Sequence, residues 1–123
     1  GSSQVYPGGV ICYSNATKHR FLQVPVELLE GPEAPGAISE EAAKSLAERV
    51  QSVTGSDFSL AITGVAGPSP AEDKPVGTVY IGMAQKNMGT ETKRLQLAGS
   101  RDIIQLRAAK SALLMLWERL KNV

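Results

Sequence analysis

Two long stretches of the chain repeat apolar residues at the spacing of an α-helix. In the first, apolar side chains recur three or four positions apart: Ala43, Leu46, Ala47, Val50 and Val53. Ser39 suits the N-cap of this helix, and Gly55 is a typical residue at which a helix stops. The second stretch runs from Arg101 to about Leu120 behind a Gly99-Ser100 cap and is too apolar for a solvated helix. The pattern therefore predicts two helices, of which the second packs on a sheet.

Shorter apolar runs predict strands. Val10–Tyr13 is read as a short strand that holds a buried thiol, and Phe58–Ile62 has the near-continuous apolar character of a fully buried strand. Val76–Met83 and Thr90–Leu97 flank a turn at Asn87-Met88-Gly89, so they are expected to pair as a hairpin. Trp117, within the second helix, is expected in the core.

The remaining segments are short. Ala16–Leu22 forms a short helix capped by Ser14-Asn15, a turn follows around Pro25–Leu29, and 31–36 is a loop. The order of elements predicts an α/β fold, a mixed sheet with helices on both faces. The first predicted strand has no helix before it to cover one face, which suggests an N-terminally truncated domain.

Composition narrows the possible chemistry. Of the residues, 42% are hydrophobic and 20% are charged, and the net charge is +1, so charge suggests neither nucleic acid nor a membrane as a partner. One cysteine and one histidine argue against a disulfide framework and against a metal site. We expect a single cytoplasmic domain over residues 1–123 that uses hydroxyls, amines, carboxylates and backbone dipoles, without metal or cofactor.

A possible nucleophile and base stand near the start of the chain. Ser2-Ser3 precedes Tyr13-Ser14-Asn15 and Lys18. A serine hydroxyl needs a base within hydrogen-bond reach, and a lysine can take that role where histidine is absent. A lysine would need its pKa lowered by about three units to act near pH 7. The alternative is a Gly-Ser tail beside a surface lysine.

Three further clusters could bind an anion. The turn at 63–68, Thr63-Gly64-Val65-Ala66-Gly67-Pro68, offers backbone N–H groups at the end of a strand, or is a tight turn without a ligand. Lys74 lies just before the second strand and could reach an anion, or could mark a strand entry. Arg101 begins the last helix, with Arg107 further along, and suits a phosphate or is an ordinary exposed residue at a cap.

Taken together, these segments resemble the C-terminal domain of the CinA family, also known as the PncC family. The resemblance rests on motifs in the family's order: Gly-Ser-Ser-x-x-Tyr-x-x-Gly-x-x-x-Tyr-Ser-Asn-x-x-Lys over 1–18, Gly36-Ala37-Ile38-Ser39-Glu40-Glu41, the 63–68 turn, Lys74-Pro75-Val76-Gly77-Thr78-Val79 and Gly99-Ser100-Arg101-Asp102. The resemblance implies a three-layer α/β/α domain with a mixed sheet. It also implies metal-free hydrolysis of nicotinamide mononucleotide to nicotinate mononucleotide and ammonia.

By this resemblance Ser3 matches the nucleophile, Lys18 the general base and Tyr13 the tyrosine that assists them. The positions that match substrate contacts are Thr63, Gly64, Ala66, Gly67, Lys74, Gly77 and Arg101. A homodimer is expected, and the partner is a small nucleotide. The family's upstream strand and helix, with a Glu-Ser-Cys-Thr-Gly-Gly motif, have no match, so this chain alone is expected to be weak or inactive.

Two rival functions remain open. One is a non-catalytic nucleotide-binding or interaction module in a competence and DNA-damage protein. The other is a hydrolase of the same class with a different amide substrate. The Ser3–Lys18 pair distinguishes the first rival from the enzyme, and a panel of pyridine nucleotides and simple amides distinguishes the second.

Overall fold

The computed structural model describes residues 1–122. Helices surround one sheet, and a single 3₁₀ turn precedes them. The elements in chain order are the 3₁₀ turn Ser2–Gln4, α1 Asn15–Leu22, α2 Val26–Leu29, α3 Glu40–Thr54, β1 Phe58–Gly64, β2 Thr78–Gln85, β3 Glu91–Gln96 and α4 Arg101–Leu120. The two long helices and the hairpin predicted from the sequence are confirmed.

The sheet has β2 at its centre and runs antiparallel throughout, in the order β1-β2-β3. Successive side chains of a strand point to opposite faces, so β2 serves both faces of the sheet. Val79, Ile81 and Met83 face α4 and are almost completely buried with it. Gly82 lies on the other face, against α3. The α/β class with helices on both faces is thus confirmed, and the three described strands include no parallel pair.

The core on the α4 face depends on the size of the helix residues. Ile104, Ala108, Ala112 and Met115 are buried against the β2 side chains. Alanine at two of these positions lets the helix approach the sheet closely, and each large side chain removed from water contributes about 2 kcal/mol. None of the helices in residues 1–122 is both long and apolar enough to cross a membrane.

A second cluster forms beneath α3. It joins the short helices α1 and α2 to α3 through buried apolar side chains: Leu22, Val24, Leu29, Ala37, Ala42 and Leu46. At Gly82 a side chain would overlap the backbone carbonyl of Ala43, so this glycine allows α3 to lie directly on the sheet. The cluster matters for function because it holds α1 in place.

The start of α3 is capped by a serine that makes two hydrogen bonds. Ser39 Oγ accepts from the N–H of Ala42 at 3.1 Å and donates to the carbonyl of Gly36 at 2.6 Å. At the other end, Gly55 adopts a left-handed conformation, with φ 68°, and its N–H donates to the carbonyl of Gln51. Both helix-boundary signals in the sequence are therefore confirmed.

We expect Ser39→Ala to lower the free energy of unfolding by about 1 kcal/mol, since it removes the cap of a long helix. Urea unfolding followed by circular dichroism measures this loss. Ser52→Ala, at an exposed position within the same helix, serves as the matched control and should change the stability by less than about 0.5 kcal/mol. Equal stability of both variants would contradict the capping role.

Three expectations for buried residues are wrong. Residues 10–13 form no strand: Ile11 is 82% exposed and Tyr13 is 85% exposed, because no neighbouring strand pairs with them in the described chain. Cys12 is half-buried and packs against the cluster beneath α3. Trp117 is 57% exposed, since it lies on the side of α4 that faces away from β2. Apolar character alone did not predict burial at these positions.

β1 is an edge strand, which the sequence did not indicate. Of its side chains only Ser59 is buried, and Ile62 is 43% exposed, so the expectation of a fully buried strand is wrong. β2 pairs with one edge of β1, and no strand among residues 1–122 pairs with the other. The open edge leaves space beside β1 for the cavity described next. The expected dimer stays a prediction.

Candidate functional site

A cavity of about 850 Å³ follows the open edge of β1. Its walls come from the 10–13 segment, from α1, from the middle of α3 and the residues just before that helix, from β1 and from α4 up to Leu113. Polar groups are few among largely apolar walls; those with charged side chains are Lys18, Glu72 and Arg101. An open, mainly apolar cavity with a few convergent polar groups is typical of small-molecule sites.

Lys18 is the most unusual residue of this cavity. It lies in the middle of α1 and is only 8% exposed, although it carries a charge. Within the described chain its ammonium forms no ion pair and no hydrogen bond, and it retains a little contact with solvent. Lysines are rarely buried to this extent without a partner, so stability alone gives little reason for the position of Lys18. Its surroundings therefore point to a ligand or a reaction.

The local sequence explains how Lys18 comes to be buried. Ser14 Oγ accepts from the N–H of Thr17 and starts α1. Gln23 ends the helix in a left-handed conformation, with φ 58°, and Val24 then turns back into the core while its N–H bonds to the Lys18 carbonyl at 3.2 Å. Leu22 and Val24 anchor this short helix in the cluster beneath α3. The anchoring draws the lysine stem inwards.

The 63–68 turn lines the cavity and is only partly available for a ligand. Thr63 Oγ1 donates to the carbonyl of Ala37 at 2.6 Å, and the N–H of Val65 donates to Thr78. No hydrogen bond is described for the N–H groups of Ala66 and Gly67. Of these two residues only Ala66 lines the cavity, so its N–H is the donor placed to bind an oxyanion or a phosphate.

Arg101 connects the start of α4 to this turn. Its guanidinium donates to the carbonyl of Gly67 at 2.7 Å, and the residue remains exposed while lining the cavity. Ser100, at the N-cap, makes no side-chain capping bond. A guanidinium has five N–H donors, so the bond to Gly67 leaves others free for an anion. Arg107 is also exposed but does not line the cavity.

The predicted site residues do not all meet. Lys18, Thr63, Gly64, Ala66 and Arg101 line one cavity, and Tyr13 lines it with a largely exposed ring. The residues outside its lining are Ser3, Gly67, Lys74 and Gly77.

The surroundings of Ser3 and Gly77 explain why these two residues lie outside the cavity lining. Ser3 lies in the exposed 3₁₀ turn, and no hydrogen bond links it to Lys18. Gly77 is buried; its N–H donates to Val65 at 2.7 Å and its carbonyl accepts from Leu97 at 2.8 Å. The structure therefore gives Gly77 a structural role and places the predicted nucleophile outside the cavity.

Glu72 is the residue that the sequence reading missed. It lies in a polar loop that carried no motif, yet its carboxylate lines the cavity. The carboxylate accepts two hydrogen bonds, from the N–H of Ala37 at 3.1 Å and from that of Ile38 at 2.8 Å. No sequence signal marks it, because its partners are backbone groups 34 and 35 positions away.

The fold and the cavity define a three-layer α/β domain with an open cavity beside an edge strand, lined by the charged residues Lys18, Glu72 and Arg101. The chain belongs to the CinA C-terminal domain family, whose model matches residues 1–120. The family expected from the motifs is thus confirmed.

Relatives and solved structures agree with this family. A Geobacillus kaustophilus protein, named as competence-damage inducible, is 47% identical over 120 residues, which cover 98% of this chain and 28% of the relative. A similarly named Bacillus cytotoxicus protein is 45% identical over 123 residues, or 100% of this chain and 29% of the relative. This chain therefore spans less than a third of the curated relatives it matches.

Two crystal structures have the same fold. The competence damage-inducible protein A of Klebsiella pneumoniae matches with a TM-score of 0.82 and 33% identity, over 89% of this chain and 66% of that chain. A CinA superfamily protein of Enterobacter cloacae matches with a TM-score of 0.83 and 30% identity, over 91% of this chain and 64% of that chain. The similarity establishes the fold, and the names of these two proteins state no reaction.

Proposed function

We propose that this domain binds nicotinamide mononucleotide in the β1 cavity and takes part in hydrolysing its carboxamide to nicotinate mononucleotide and ammonia. The observation that carries the proposal is Lys18, a mostly buried lysine that lines a cavity of nucleotide size and has no described hydrogen bond or ion pair at its ammonium. Arg101 and the free N–H group of Ala66 add donors suited to a phosphate or an oxyanion.

The proposed chemistry follows from what an amide requires. A serine hydroxyl attacks the carboxamide carbon, Lys18 acts as the general base that takes the hydroxyl proton, and backbone donors stabilise the oxyanion. The C–N bond then breaks as Lys18 returns the proton to the leaving nitrogen, and ammonia departs from an acyl-enzyme. Water attacks the ester, releases the carboxylate and restores the serine.

Ser3 would have to move before it could react. Ser3 is exposed, outside the cavity, and the 3₁₀ turn that carries it has no buried residue. Residues 1–9 would have to approach Lys18 before the serine could act, and loosely held catalytic groups are inefficient. We therefore expect the 123-residue chain by itself to be weak or inactive.

Ammonia release from nicotinamide mononucleotide tests the enzyme proposal, with this chain and the longer Geobacillus kaustophilus relative measured side by side. The relative should turn over much faster, and equal rates would contradict the expected weakness of this chain. We expect Ser3→Ala to reduce any release at least about a hundredfold, because it removes the nucleophile. Ser2→Ala is the neighbouring control and should retain the rate. No release by either protein would contradict the enzyme proposal.

A second candidate is a nucleotide-binding module without catalysis. The specific observation in its favour is that the cavity contains Lys18 and Arg101 but not Ser3. Isothermal titration calorimetry with nicotinamide mononucleotide separates the two proposals. Binding without ammonia release in both proteins supports the module, and a binding panel of simple amides then tests for a different substrate.

A further inference from the structure

Glu72 brings a fixed negative charge to a cavity that otherwise offers cations. Both oxygens of its carboxylate are occupied by backbone donors at the start of α3, so the group cannot rotate freely even though the residue is exposed. Each carboxylate oxygen has a second lone pair that remains available. The charge is thus held at one place on the cavity wall.

The backbone holds this position at some conformational cost. Glu72 and Asp73 are both left-handed, with φ 51° and 60°, a conformation that non-glycine residues rarely adopt. Gly36, opposite them, has φ 95°, and a side chain there would lie 2.5 Å from Glu72 Oε1. Strained residues that converge on one side chain persist where the surrounding structure determines them, and such places are often functional.

The same hydrogen bonds tie Glu72 to the 63–68 turn. Ala37 donates its N–H to Glu72, and its carbonyl accepts from Thr63 Oγ1 at 2.6 Å. The Glu72 carboxylate is therefore linked through Ala37 to Thr63, which lines the cavity. Within residues 1–122 no lysine, arginine or histidine forms an ion pair with Glu72. An anchored anion without a counter-cation suits a ligand that carries positive charge.

The charged groups of the cavity indicate which charges a complementary ligand carries. Arg101 favours an anionic group, whereas Glu72 favours a cationic one. A pyridine mononucleotide in its oxidised form has both, a phosphate and a pyridinium ring. Its reduced form has nearly the same shape and the same phosphate, but the dihydropyridine ring is neutral.

We infer that Glu72 is a specificity residue that selects the cationic, oxidised pyridine ring over the neutral, reduced ring. This inference rests on the proposed function, since it takes the ligand to be a pyridine mononucleotide. Glu72 acts through charge at the ring and not through the reacting carboxamide. A brace that only holds the loop would weaken both redox forms of the nucleotide equally, which gives the inference a distinct signature.

The experiment compares dissociation constants of oxidised and reduced nicotinamide mononucleotide, measured by calorimetry on the whole chain. The wild-type protein should prefer the oxidised form, and Glu72→Gln should lower that preference about fivefold, as expected for one partly exposed charge pair. Glu72→Asp retains the charge and should keep most of the preference. Asp73→Asn removes the neighbouring charge outside the cavity lining and should leave the ratio unchanged.

Each result supports or overturns the inference. Weakening of both redox forms by the same factor in Glu72→Gln would leave Glu72 as a brace only, and a ratio restored by Glu72→Asp argues against a folding defect. A wild-type protein that binds both forms equally overturns the inference and leaves the proposed function standing. Binding of neither form overturns both, so the two failures can be told apart.

Discussion

Lys18→Met should make the domain more stable while removing its activity. Methionine matches the length of the lysine stem and has no charge, so the variant removes an ammonium without a described partner from a mostly buried position. We expect the free energy of unfolding to rise by about 1 kcal/mol and deamidation to fall at least about a hundredfold. Functional sites commonly show this opposition between stability and activity.

Urea unfolding measures the first effect, and ammonia release, in this chain and at the matching lysine of the longer relative, measures the second. Lys44→Met is the control, because Lys44 is exposed on α3; it should alter stability by less than about 0.5 kcal/mol and leave the rate unchanged. A destabilised Lys18→Met would show that the ammonium has an unrecognised partner, and the case for a site at Lys18 would fail.

Gly77→Ala should cost at least about 3 kcal/mol, a large part of the stability of a small domain. Gly77 has φ 93°, and a side chain there would overlap the carbonyl of Leu97. The residue cannot move away easily, because its N–H and carbonyl bond to Val65 and Leu97. The overlap would separate the end of β3 from the start of β2.

Chemical denaturation of Gly77→Ala and of Gly89→Ala checks this expectation. Gly89 lies in the hairpin turn, where a side chain would meet open space, so its replacement should change stability by less than about 0.5 kcal/mol. Nearly native stability in Gly77→Ala would contradict the structural role and would return Gly77 to the list of possible substrate contacts.

Sequence periodicity predicted the elements whose own residues decide their structure. α3 was predicted within a residue because a Ser39 cap and a Gly55 stop flank a repeating apolar face. The hairpin followed from a β-branched run and an alternating polar and apolar run on either side of a short turn, and its register places Ile81 opposite Lys93. These signals are local, so they could be interpreted without knowing what packs against them.

Periodicity failed where burial depends on a partner element. Val10–Tyr13 is as apolar as a strand, but a strand needs a neighbour to satisfy its backbone groups, and the described chain offers none there. β1 has the composition of a central strand and lies at an edge. Apolar content is a property of the residue, whereas exposure is a property of its surroundings.

Some residues of the candidate site could be predicted from the sequence, and others could be found only in the tertiary structure. Motif resemblance singled out Lys18, Thr63 and Arg101, and the structure brings them to one cavity. The resemblance paired Ser3 with Lys18, which the structure does not do. Glu72 could not be found from motifs, since two backbone N–H groups distant in sequence give it its position.

The amino-acid sequence by itself determined the family, the long helices, the hairpin and the residue types available for chemistry, because these depend on local spacing and on composition. Tertiary structure alone decided that Lys18 is buried without a partner, that Glu72 is anchored beside the 63–68 turn and that β1 has an open edge. Each of these depends on contacts between segments distant along the chain, and no local pattern encodes such contacts.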